Sequence, residues 1–99
     1  MEIVKKAEDG KLTVSVTGRL ETTTAPLLDA EVRAIGTDVM ELVLDFSKLE
    51  YVSSAGLRVI LAAQKAMSAR KGSLKLAGVN SAVKKVLDIT GFSPLLTFA

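Results

Sequence analysis

Residues 42–61 read LVLDFSKLEYVSSAGLRVIL, and the change of rhythm inside this stretch decides the fold. From Glu41 to Phe46 the run ELVLDF is short and apolar, the pattern of a strand buried on both faces, with Asp45 near its end. From Ser54 to about Arg70 apolar residues recur at helical spacing, and Lys71-Gly72 stops them. SKLEYV reads as the connection. Ser53-Ser54 reads as a helix start, because a serine oxygen accepts a bond from an otherwise unpaired N–H of the first turn.

At about 100° per residue, Ser53, Gly56, Ile60, Ala63 and Met67 share one helix face, with Val59 and Arg70 at its edge. That face is expected to lie on the sheet, and Gly56, lacking a Cβ, lets the helix approach closely. Ser54 falls on the opposite face with Arg58, Leu61 and Lys65. Ser53 is therefore the expected cap and Ser54 the expected exposed hydroxyl, flanked by Leu57 and Leu61 on a partly wet face. Scattered surface leucines are ordinary and mark no site by themselves. A phosphate on Ser54, however, would meet free N–H groups and the positive end of the helix dipole, with Arg58 one turn on to pair with it.

Working outward, Ile3–Lys6 and the alternating run Lys11–Thr17 flank an Asp9-Gly10 turn, which predicts a β-hairpin. TGRLETTTAP, residues 17–26, supplies a turn and a cap at Thr23 or Thr24. Leu28, Val32 and Ile35 then repeat at helical spacing up to Gly36. Beyond the central stretch, Leu74 and Leu76, with Val79 beyond them, mark a strand. Asn80 or Ser81 caps a helix with Val83, Val86 and Leu87 on one face, and Gly91 sits at a left-handed C-cap. Leu95–Phe98 reads as a last strand. The order β-β-α-β-α-β-α-β predicts a single α/β domain over residues 1–99, a mixed β-sheet packed with α-helices joined by right-handed crossovers.

Composition narrows the chemistry. The 99 residues contain no cysteine and no histidine, which excludes disulfides, thiolate metal sites, a Ser-His-Asp triad and an ordinary zinc site. No cofactor and no metal are expected. A Ser-Lys nucleophile needs no histidine, but Lys65 lies about three turns from Ser54 and cannot reach it, so the chain is not expected to be an enzyme. A net charge of +2 with 4% aromatic residues leaves neither a basic stripe nor stacking platforms, and direct nucleic-acid binding is not expected. Arg58 and Lys65 interrupt the longest apolar stretch, and MEIVKKAEDG lacks the order of a signal peptide, so a cytoplasmic protein with no membrane association is expected.

The central stretch, with TGRLETTTAP before it and LKLAGVNSAVKKVLDITGF after it, resembles the STAS domains, and most closely the stand-alone bacterial anti-sigma factor antagonists. The match runs from about Lys11 to Phe98. The resemblance implies a partner-switching regulator: unphosphorylated, it binds an anti-sigma factor that is also a serine kinase, and the sigma factor is released. The kinase then modifies a serine two residues before the glycine of the motif, here Ser54, which ends binding, and a metal-dependent serine phosphatase acting on phospho-Ser54 restores it. Asp45 matches the strand-end acid of the family pattern, and Glu21 an acid in the loop that shares the partner surface. Ser53 stands where sporulation-type members carry aspartate, which makes it a second candidate for phosphorylation.

The expected partner surface thus comprises Glu21, Asp45, Ser53, Ser54, Leu57, Arg58 and Leu61. The family implies one alternative role, a non-phosphorylated STAS scaffold or subunit of a lipid-transport complex.

Overall fold

A computed structural model describes residues 1–99. Its elements are β1 (Glu2–Glu8), β2 (Lys11–Leu20), α1 (Ala25–Arg33), β3 (Glu41–Val52), α2 (Ser54–Ala69), β4 (Ser73–Ala77), α3 (Ser81–Ile89) and a 3₁₀ turn (Ser93–Leu95). The sheet order is β1-β2-β3-β4. β1 and β2 form the antiparallel hairpin, turning at Asp9-Gly10, while β2, β3 and β4 run parallel. Parallel neighbours need crossovers, and two right-handed crossovers stepping the same way across the sheet place α1 and α2 on one face. There the two helices pack on each other.

The alternation of burial shows which face is covered. Val14 and Val16, Leu42, Leu44 and Phe46, and Leu74 and Leu76 are buried, whereas Thr13, Ser15, Val43, Asp45, Lys75 and Ala77 on the other face are partly exposed. β3 is therefore buried on one face, not on both as its apolar run suggested. A single cluster of 21 buried residues draws on β2, β3, β4 and all three helices, so the chain has one core and no internal boundary.

Three segments depart from the sequence reading. SKLEYV is strand, because β3 continues along β2 to the pair Leu20↔Val52 after β4 has ended at Asp45↔Ala77. Two register shifts bend this extension, the second between Gly18 and Arg19, where Gly18 takes φ +103°, a conformation open to a residue without a Cβ. Helix α1 ends at Arg33, short of Ile35 and Gly36. The loop after it is clamped by Arg70, whose guanidinium donates to the carbonyls of Gly36 (2.7 Å) and Val39 (3.0 Å). The expected last strand is a single parallel bridge, Leu76↔Phe98, because Pro94 and the 3₁₀ turn occupy its beginning.

Other signals were read correctly. Asn80 caps α3, its side-chain oxygen accepting from Val83 N–H at 2.8 Å and its amide donating to Leu49 O at 2.7 Å. Gly91, at φ +79°, closes that helix with bonds from Gly91 N–H to Asp88 O and from Phe92 N–H to Leu87 O, the left-handed C-cap its position implied.

Candidate functional site

The start of α2 is held by its neighbours. Ser53 is the N-cap with extended backbone, φ −98° and ψ 177°. Its N–H donates to Leu20 O at 2.8 Å, and its carbonyl accepts the first helical bond from Leu57 N–H at 2.9 Å. Its hydroxyl makes no capping bond: Ser53 Oγ is buried without a partner. The cap expected at Ser53 is thus correct in position and wrong in mechanism. With no side-chain acceptor and no acid in the first turn, the first-turn N–H groups are left to solvent or to a ligand.

Ser54, the first helical residue, is exposed, as is Arg58 one turn later, and Leu61 is half-buried beside them. Leu57 is not on this surface. It is buried, 3% exposed, because the covered arc of α2 runs from Val59 through Gly56 and Ile60 to Leu57, roughly 160° at about 100° per residue. Leu57 therefore belongs to the core. Lys65 lies eleven residues beyond Ser54, about 16 Å along the helix axis.

Glu21 is brought to the same end of the molecule. It follows Leu20, the residue that bonds Ser53, and its N–H donates to Thr24 Oγ1 at 2.9 Å while that hydroxyl donates to Arg19 O at 2.7 Å. Glu21 also accepts from Arg19 Nε at 3.0 Å, and the Arg19 guanidinium lies 4.7 Å from the centroid of the Tyr51 ring. Arg19 and Tyr51 were missed by the sequence reading. Continuing the alternation of β2 past Thr17 reaches Arg19, whereas Tyr51 is set beside it by the register of β2 and β3, in which Arg19↔Tyr51 is a pair.

Asp45 is placed elsewhere. It pairs with Ser15 of β2, and five residue steps along β2, on the order of 15–20 Å at strand spacing, separate that pair from Leu20↔Val52 at the start of α2. Its side chain accepts from Ser47 N–H (3.0 Å) and from Ser15 Oγ (3.3 Å). It lines a cavity of ≈ 240 Å³ with residues of β1, β2 and β3, to which α2 contributes nothing. The Ser47 N–H, more than any other group, holds the Asp45 carboxyl below its ordinary value, with the Ser47 hydroxyl next; burial opposes them, and the Ser15 hydroxyl and the Lys48 charge add smaller lowering effects. Asp45 is a sheet-bracing acid and does not share the surface of Ser54, because β3 continues past it.

Between α1 and α2 lies a groove of ≈ 380 Å³ bordered by Thr22, Ala25, Pro26, Asp29, Arg33, Ala55, Arg58, Val59 and Ala62. Its lining includes Thr22 and Ala55, the chain neighbours of Glu21 and Ser54. The cluster has a hydroxyl, an acid and cations but no paired base and no group of three or more potential metal-ligating side chains. It suits docking and modification of a hydroxyl. No helix is long and apolar enough to cross a membrane.

Comparison with known proteins agrees with this architecture. Residues 3–97 match the family model described as Mlab, STAS domain. The chain is 33% identical over its whole length to BtrV of Bordetella bronchiseptica, named as an anti-sigma factor antagonist, and spans 86% of that protein. Its fold is similar to the crystal structure of an anti-sigma factor antagonist from Mycobacterium paratuberculosis, with TM-score 0.86, 26% identity, and coverage of 98% of this chain and 83% of that one. It is also similar to the anti-sigma factor antagonist SpoIIAA of Bacillus in its phosphorylated form, with TM-score 0.77, 17% identity, and coverage of 99% and 91%.

Proposed function

The chain belongs to the STAS domain family, and from that premise we propose that it is an anti-sigma factor antagonist switched by phosphorylation of Ser54. Unphosphorylated, it binds an anti-sigma factor serine kinase through the start of α2 and the Glu21 loop, so that the sigma factor is released. Phosphate on Ser54 ends that contact, and a serine phosphatase restores it. The chain itself performs no catalysis.

The observation that carries this reading is the contrast between the two serines. Ser54 is exposed at an uncapped helix start, whereas Ser53 Oγ is buried. The naming of relatives as anti-sigma factor antagonists supports it.

A phosphate brings roughly 1.5 to 2 negative charges. In the free domain the helix dipole offsets some of their cost, by about 0.3 to 1 kcal/mol. At a packed interface a mispaired charge costs about 2 to 5 kcal/mol, on the order of thirty-fold to several thousand-fold in affinity. Ser54→Ala is therefore expected to bind the kinase persistently and take no phosphate. Ser54→Asp is expected to stay folded and bind poorly, and Glu21→Ala to lose about tenfold in affinity with an unchanged melting temperature. The test is the affinity of these variants for the cognate kinase beside their circular dichroism. Equal affinities for Ser54→Ala and Ser54→Asp would favour the alternative, a non-phosphorylated scaffold or subunit of a lipid-transport complex.

A further inference from the structure

We propose that the outward face of α2 and the groove beside it dock an acidic amphipathic helix of the partner protein, with its apolar ridge in the groove and its carboxylates over Arg58 and Lys65. The inference deepens the proposed function, since it rests on the partner meeting α2 at the Ser54 end, and it names the chemistry of the docking segment.

Helix α2 carries Arg58 and Lys65 and not one aspartate or glutamate along its 16 residues. Both cations are exposed, and neither takes part in any of the chain's six ion pairs. The one acid bordering the α1–α2 groove, Asp29, is already bound by Arg33 at 2.7 Å. A second depression of ≈ 290 Å³, formed by Arg58, Leu61, Ala62 and Lys65, adjoins the first through Arg58 and Ala62 and contains no acid. The surface therefore presents two uncompensated positive charges around an apolar trough.

The occupant follows from shape and charge. The trough lies between two packed helices and is floored by small side chains, Ala25, Ala55 and Ala62, so the ridge of a third helix can enter it as in ordinary helix packing. Desolvating Arg58 and Lys65 against an apolar partner would leave two unpaired charges, whereas carboxylates on that helix would pair with them. Arg58 stands one turn from Ser54, so negative charge added at Ser54 would compete for the cation that the acidic helix uses.

The test uses the full chain and two synthetic 20-residue amphipathic helical peptides, one with leucines on one face and glutamates on the other, the second with every glutamate replaced by lysine. Fluorescence anisotropy would read their binding at low and at moderate salt. The acidic peptide is expected to bind and the lysine peptide not to, with affinity falling at least about threefold as salt screens the contact. The double variant Arg58→Glu/Lys65→Glu is expected to lose about tenfold or more, and Lys71→Glu/Lys85→Glu, an equal charge change elsewhere, about twofold at most. Circular dichroism verifies that both variants fold. The proposal is overturned if the two peptides bind alike, if the acidic peptide does not bind, or if both double variants lose affinity equally. Because unmodified Ser54 suffices for this binding, the outcome is separate from that of the phosphorylation switch, which is read from Ser54→Ala against Ser54→Asp on the kinase.

Discussion

The backbone N–H of Ser53 donates to the carbonyl of Leu20 across 2.8 Å, so the end of β2 is tied directly to the start of α2. This bond places Glu21, the next residue of the chain, beside the helix start, and it fixes Ser53 with its hydroxyl turned into the protein.

Ser53 Oγ is buried without a partner, and an unmatched buried hydroxyl costs desolvation with no bond to offset it. Ser53→Ala should therefore leave stability unchanged or raise it, by up to about 1 to 3 kcal/mol, although serine at an N-cap ordinarily stabilises by about 1 kcal/mol. Phosphate incorporation should remain at Ser54. Chemical denaturation and mass spectrometry of the phosphorylated variant check the two halves; a folded Ser53→Ala protein that no longer accepts phosphate would make Ser53 the acceptor.

Gly56 is buried where α2 meets the sheet. A Cβ built there would lie 2.7 Å from Leu20 Cγ and 2.9 Å from Val52 Cγ2, atoms of side chains that are themselves fully buried and cannot swing away. Gly56→Val should destabilise by about 1 to 3 kcal/mol, as overpacking does. An unchanged denaturation midpoint would show that the helix can shift to make room.

Asn80 uses both ends of its amide, capping α3 through Val83 N–H and tying it to β3 through Leu49 O. Asn80→Ala should cost about 1 to 3 kcal/mol, the cap together with a second hydrogen bond. Asn80→Asp keeps the cap acceptor but loses the donor to Leu49, so its melting temperature should fall between those of wild type and Asn80→Ala.

The Asp45 carboxyl, held low chiefly by the Ser47 N–H, makes a stability contribution with a definite sign. A lowered folded-state value favours the folded protein above the ordinary carboxylate pKa of 3.8, and the contribution disappears as pH falls through the lowered value. Asp45→Asn should be less stable than wild type near neutrality and should show a shallower loss of stability as pH falls below the ordinary carboxylate value. Asp88, lowered through its bond to Lys84, acts with the same sign in both proteins. Parallel pH profiles for wild type and Asp45→Asn would refute the assignment.

The elements of this protein were readable wherever local chemistry specifies them. The hairpin turn at Asp9-Gly10, the Asn80 cap and the Gly91 C-cap rest on conformations and hydrogen bonds formed within a few residues, which the local order of residues encodes. The helix period likewise identified the buried set Gly56, Ile60, Ala63 and Met67 and turned Ser54 outward. Leu57 escaped that reading because the width of a buried arc depends on how many neighbours cover the helix, and a wheel contains no neighbours. The same limit applies to β3. SKLEYV, with one lysine and one glutamate, has no clear strand rhythm, and it is extended because β2 offers a pairing edge past the end of β4. That pairing carried Asp45 away from Ser54 and brought Arg19, Tyr51 and Glu21 toward it. Periodicity and capping residues act over one or two turns of chain and determined which hydroxyl is exposed; register between strands acts over distances in sequence of about thirty residues and decided which charges stand beside it.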